Sequence, residues 1–237
     1  MCEGVNEYDF LRVVFQWQPA TCGVATKPYP YCYQTPQNRF GLDYTMAKPN
    51  VQASSSQVNL LFYPKAHFVQ TSKQLTRARA HITLVLFKGR ENYKVKVLEP
   101  RLNEMWGNVI TGDNQWLWKP EWDKHGTCIE DILFDQSGYF EYTMNTLYYF
   151  NPEEILKNGG IWPTQEGYYT LDEIKSVIKA RTGKLPAVGC NYNHWTSYQQ
   201  LHEISYCVTK EGQTFVDCPS NANKCNGHSA MWYPPPY

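Results

Sequence analysis

Eight half-cystines constrain this 237-residue chain more than any other feature. They stand at positions 2, 22, 32, 128, 190, 207, 218 and 225. No two are spaced C-x-x-C, so the tetrahedral thiolate spacing of a structural zinc site is absent. An even number, with four in the last quarter, reads as a disulfide framework and hence an oxidising compartment.

The strand and helix signals fit between these anchors. Phe10 to Trp17 is an apolar, β-branched and aromatic run ending at Gln18-Pro19, the pattern of a strand buried on both faces. Residues 23–39 read as a Pro-, Tyr- and Thr-rich loop pinned by Cys22 and Cys32, and residues 40–45 as a second short strand. Helical spacing appears from Leu98 to Trp106 and again from Tyr139 to Phe150, whose aromatic stripe suits a core. Asn151-Pro152-Glu153-Glu154 is a helix start, with a capping amide, a proline in the first turn and acids against the dipole. Thr170-Leu-Asp-Glu173 is a capping box for a helix closed by Gly183. Residues 201–208 and 214–218 read as a hairpin whose Cys207 and Cys218 can face each other. The tail, residues 232–237, is expected to be extended. No repeat or linker divides the chain, and strands and helices are mixed. The expectation is one α+β domain covering residues 1–237.

Charge narrows the function classes. The net charge is zero, so no global field recruits nucleic acid or membrane. Locally, residues 50–97, extended to Arg101, carry an excess of seven positive charges. Such a segment is either a solvated face balancing acidic neighbours or a phosphate-binding one, and the solvated face is the expectation. A hairpin is expected around residues 88–91. No apolar run is long enough to span a bilayer, and no Asn-x-Ser/Thr sequon occurs. The first residues show neither a basic n-region nor an apolar h-region; any signal peptide is expected to have been removed or never included.

The densest chemistry lies in Leu117-Trp-Lys-Pro-Glu-Trp-Asp-Lys-His-Gly-Thr-Cys128. If Pro120 opens a helix, Glu121, Lys124 and His125 follow at i, i+3 and i+4 and share a face. A carboxylate that orients an imidazole beside a lysine suits the handling of a phosphate. The second, less favoured reading takes Trp118-x-x-x-Trp122 as a core pair with solvated charges. A helix is expected to continue from Ile129 to Leu133.

With Gln16-Trp17, Phe40-Gly41-Leu42, Trp118 to Cys128 and the terminal cysteines on the page, the chain resembles the T2 ribonuclease family. The resemblance covers roughly residues 8–46 and 98–230 and is closest to the catalytically inactive, ribonuclease-like storage proteins of plant roots and rhizomes. It implies a disulfide-braced α+β fold with an antiparallel sheet and flanking helices, needing no cofactor, metal, membrane or obligate partner. The family cleaves RNA through attack of the 2′-hydroxyl on phosphorus, which needs a base, an acid for the leaving oxygen, and donors for the phosphorane. Glu121, Lys124 and His125 match the family's oriented base and phosphate clamp. Gln16, Trp17 and Trp118 match substrate-binding positions.

Two positions depart from the pattern. Asp43 stands where the first motif has its acid histidine, and Pro120 replaces the first histidine of the second motif. The Gly-Leu-Trp-Pro that follows the first histidine is also missing. Realigning residues 82–87 to that motif puts Val85 at the histidine; His67 or His81 would be the other rescue, and a raised Asp43 pKa a third. The remaining histidines (194, 202 and 228) are expected to be structural or on the surface. The family pattern implies Cys22–Cys32, Cys190–Cys225 and Cys207–Cys218. The usual partner of Cys128 has no counterpart between residues 32 and 128. Cys128 is then a buried free thiol, the expectation, or pairs with Cys2.

These readings lead to a catalytically inactive homologue serving as a vegetative nitrogen reserve in the secretory pathway, vacuolar or extracellular. Two alternatives stay open. One is a weakly active endoribonuclease that forms 2′,3′-cyclic phosphates. The other is a non-catalytic RNA- or partner-binding module using the basic segment, for which only weak RNA binding is expected.

Overall fold

The computed structural model describes residues 10–24, 29, 31–32, 40–47, 95–129, 133–226 and 230–236, with the backbone alone for 40–47. The expected basic segment, apart from residues 95–97, its hairpin, His67, His81, His228 and Cys2 lie outside the described residues.

Among the described residues, a five-stranded antiparallel sheet carries the fold. Its order is β2 (Phe40–Ala47), β1 (Phe10–Trp17), β4 (Gln199–Thr209), β3 (Ala187–Tyr192), with β5 (Phe215–Val216) also on β4. β1 is central, and Leu11, Val13, Val14, Phe15 and Trp17 are wholly buried. That is the two-sided burial its β-branched, aromatic sequence calls for. Leu11, Val13, Phe15 and Trp17 alternate onto one face and join a core with Leu102, Trp106, Trp118, Trp122, Tyr139 and Phe140.

The helices follow their local signals. After α1 (Gln18–Cys22) come α2 (Glu99–Met105), α3 (Asn114–Glu121), α4 (Gln136–Tyr149), α5 (Pro152–Asn158) and α6 (Leu171–Thr182). Asn151 accepts the Glu153 N–H to start α5, and Thr170 and Glu173 form the reciprocal capping box of α6. Gly183 ends α6 at φ 74°, where a side chain would be strained.

The disulfides are Cys22–Cys32, Cys190–Cys225 and Cys207–Cys218. Cys128 is disulfide-bonded too. The expected buried thiol at Cys128 is corrected.

A second correction concerns Pro120. It does not open a helix: α3 begins seven residues earlier in sequence than Glu121, at Asn114, where the Asp113 carboxylate accepts the Trp116 N–H at 3.0 Å. Asp113 is the stronger start signal, since capping satisfies an orphan donor and proline only avoids losing one. Pro120 sits inside the last turn and withdraws the donor that would reach the Trp116 carbonyl. The chain then widens into one π-type turn, Trp122–Gly126, closed by the Thr127 N–H on the Trp122 carbonyl at 3.0 Å. Residues 127–129 are turn rather than the expected continuation of helix, and 130–132 lie outside the described residues.

Candidate active site

The π-type turn is held by its two indoles. Trp118 is buried and its Nε1–H donates to the Trp106 carbonyl at 2.8 Å. Trp122 packs edge-on against Tyr139, with ring centroids 5.6 Å apart. The Trp122 ring lies over Gly126, where any Cβ would overlap it. Glycine is therefore required there by close approach. These contacts set the position of His125, the residue before it.

Glu121 closes α3, whereas Lys124 and His125 belong to the wide turn. The α-helical register that would put all three on one face runs only to Glu121. Glu121 and His125 are half-buried and Lys124 is exposed. Lys119 and Asp123 pair across one turn on the surface, a contact that contributes at most a few tenths of a kcal/mol. The Thr127 hydroxyl donates to the Asp123 carbonyl at 3.0 Å.

β2 packs against this turn and against α4. Asp43 lies at the middle of β2, opposite Val14 in the register. The two motif positions thus come from neighbouring elements: a strand bearing Asp43 and a turn bearing His125. Gln16 stands opposite Gly41 on one side and Glu203 on the other, and its Nε2–H donates to the Glu203 carboxylate at 3.4 Å.

Trp17 is packed in the core. It has no exposed surface, its Nε1–H donates to the Pro234 carbonyl at 2.8 Å, and Tyr233 meets it edge-on at 4.9 Å. Trp118, only 4% exposed, is largely a packing residue as well. An indole run in sequence looks the same whether it faces ligand or core; partner and burial decide.

Two features carry little sequence signal. Asn108 Oδ1 accepts the N–H groups of Ile110 and Thr111, and its amide donates to the Asp113 carbonyl at 2.9 Å. This locks the loop before α3 and shapes an open polar cleft of about 460 Å³ lined by Tyr31, Glu99, Asn103, Asp113 and Trp118. On β4, a register shift against Gly189 and Cys190 brings the neighbours His202 and Glu203 close. His202 Nδ1 is 3.6 Å from Glu203 Oε1, and its Nε2 is 3.2 Å from the Thr21 hydroxyl. Among the described residues, no three His, Cys, Asp or Glu side chains are grouped to hold a metal ion. Nor is any described helix long and apolar enough to cross a membrane.

Residues 8–218 match the Ribonuclease T2 family. Ribonuclease MC of Momordica charantia is 33% identical over 129 residues, covering 53% of this chain and 64% of that protein. Extracellular ribonuclease LE of Solanum lycopersicum is 32% identical over 109 residues, 46% of each chain. The chain spans about half to two thirds of the length of these curated relatives. Among solved structures, ribonuclease NT bound to 5′-AMP superimposes with a TM-score of 0.68 at 22% identity, covering 97% of this chain and 100% of that one. An RNase-related protein from Calystegia sepium gives 0.63 at 18% identity, covering 98% and 100%. At these identities the structural likeness speaks for the fold.

Proposed function

This chain belongs to the ribonuclease T2 family, and from that premise we propose that it keeps the family's fold and has lost its cleavage chemistry. The reading rests on the resemblance, which sets Asp43 where the family's pattern has its acid histidine; the strand that bears Asp43 packs on the His125 turn.

The consequence is electrostatic. An aspartic acid ionises near pH ~3.9 and a histidine near ~6.5. With an ordinary aspartate ionisation, position 43 would carry a negative charge at working pH, offer no proton to the leaving oxygen and repel the phosphodiester. A general acid contributes roughly 10²–10⁴-fold to such a reaction. Pro120 removes a second imidazole, one that would help hold the phosphate. Glu121, Lys124 and His125 still supply a base and a cation, so half of the machinery survives without its counterpart.

What remains is a disulfide-braced protein with an aromatic core, suited to accumulate as a nitrogen reserve in a vacuole or outside the cell. The relatives' names include both an extracellular and an intracellular ribonuclease. A weakly active endoribonuclease is the second reading, favoured by the retained Glu121, Lys124 and His125.

RNA cleavage from acid to neutral pH separates the two. The natural chain is expected to release no 2′,3′-cyclic phosphate above background. Asp43→His combined with Pro120→His is expected to gain activity, lost again on His125→Ala. Turnover by the natural chain that disappears with His125→Ala would establish the second reading.

A further inference from the structure

Away from the site above, two loops build an aromatic surface. They are residues 162–169, between α5 and α6, and residues 192–198, the last residue of β3 and the turn that leads to β4. Among the described residues, five of the eleven large apolar side chains left in solvent come from these loops: Trp162, Tyr168, Tyr192, Trp195 and Tyr198. Exposed apolar residues are ordinarily scattered; a concentration marks a place where something binds. One ring pair joins the two loops and another lies within the second. Tyr168 meets Tyr198 edge-on at 5.4 Å, and His194 meets Trp195 at 5.3 Å.

The backbone holds these rings outward. Asn193 is buried, and its side-chain oxygen accepts the N–H groups of Trp195 and Thr196 at 2.9 and 3.0 Å. Its own N–H donates to the Tyr198 carbonyl, and the Ser197 N–H returns to the Asn193 carbonyl. Ser197 has φ 56°, a left-handed conformation that serine seldom adopts and that is kept where the surroundings impose it. The C-terminal segment straps both loops. Trp232 Nε1–H donates to the Thr164 carbonyl at 2.6 Å, Tyr169 and Met231 exchange backbone bonds, and Trp232 N–H donates to the Gln199 carbonyl. Such a surface is preorganised and loses little entropy when a ligand arrives.

Charge decides the class of ligand. Residues 162–169 and 192–199 hold no lysine or arginine, one carboxylate (Glu166) and one imidazole (His194). One ammonium stands beside them: Lys157 lies over the Trp162 ring at 5.7 Å and is paired with the Glu153 carboxylate at 2.6 Å. Among the described residues the Tyr168, Trp195 and Tyr198 rings thus have no cation from their own loops to hold a phosphodiester chain, which favours an uncharged ligand. Around the rings lie the exposed hydroxyls and amide of Thr196, Ser197 and Gln165. A pyranose has the complementary form, an apolar C–H face to lie on a ring and hydroxyls at its rim to hydrogen-bond. We propose that this surface is a binding site for a neutral glycan chain, with Tyr168, Trp195 and Tyr198 stacking on its sugar faces.

Tryptophan-fluorescence titration and calorimetry with cellohexaose, chitohexaose and mannohexaose test this, with polyuridylate as the charged control and sedimentation to follow self-association. Saturable binding of at least one hexasaccharide is expected. Trp195→Ala or Tyr198→Ala should weaken it about tenfold or more. Tyr148→Ala, which removes an exposed ring on α4, should leave it unchanged. Melting curves confirm that each variant is folded. The proposal is overturned if none of the three sugars binds saturably, or if binding survives the Trp195→Ala, Tyr198→Ala pair. It is equally overturned if polyuridylate competes for these rings, or if they mediate self-association instead. None of these results depends on whether the protein cleaves RNA.

Discussion

Replacing Gly126 by alanine tests the packing that positions His125. A Cβ built there comes within 2.8 Å of Trp122 Cδ2 and closer still to Cε3 and Cζ3. Relaxed carbon–carbon contacts lie at about 3.5–4.0 Å. The obstructing group is a rigid ring, 8% exposed and backed by Tyr139. Relief therefore requires moving an indole inside the core, which makes this an overpacking substitution costing about 1–3 kcal/mol. For a chain of this size each kcal/mol lowers Tm by about 2–4 °C, so the expected drop is roughly 2–12 °C. Circular-dichroism melts and urea titration measure it. Trp122→Leu supplies the control, because removing the ring removes the obstacle. Added to Trp122→Leu, Gly126→Ala should cost less than it does alone, by about 0.5 kcal/mol or more. An unchanged Tm for Gly126→Ala, or penalties that add without coupling, would refute this account of the turn.

The remaining predictions concern helix capping and the disulfides. The backbone N–H of Thr170, then its hydroxyl, hold the Glu173 carboxyl below its ordinary range. A depressed folded pKa means a contribution present above the unfolded value and lost as pH falls through the folded one. Glu173→Gln should therefore lower stability near neutral pH and close the gap to the natural chain on acidification; parallel Tm curves from neutral to acid pH would contradict it. Replacing Cys190 and Cys225 together, which span 35 residues, should cost about 4 kcal/mol by loop entropy. Replacing Cys207 and Cys218, which span 11, should cost about 3 kcal/mol, both read by urea unfolding. The reverse order would show that native packing around the bridges outweighs chain entropy.

Elements whose cause is local were legible residue by residue. β1 follows from its own apolar, β-branched run, α5 from Asn151-Pro152, and α6 from the Thr170–Glu173 box and Gly183. Capping and turn chemistry join residues within a few positions, so the information sits in the neighbourhood where it acts. Pro120 failed as a marker for a related reason. Proline is tolerated at a helix start but also within a last turn, and Asp113, seven residues upstream, had the stronger cap.

The site divides along the same line. Glu121, Lys124, His125 and the departures at Asp43 and Pro120 are matters of residue identity, and residue identity sets which proton chemistry the chain can offer. That Trp17 and Trp118 pack into the core, that the turn under His125 is wide, and that Tyr168 meets Tyr198 depend on contacts between residues far apart in the chain. The sequence by itself determined β1, β2, the β4–β5 hairpin, the capped helices α5 and α6, the family resemblance and the aspartate at position 43, but not β3 or the Asp113 start of α3. Tertiary structure alone decided which indoles are buried, what covers Gly126 and which rings share a surface. Burial and register arise from the chain closing on itself, and no local pattern encodes which distant partner arrives.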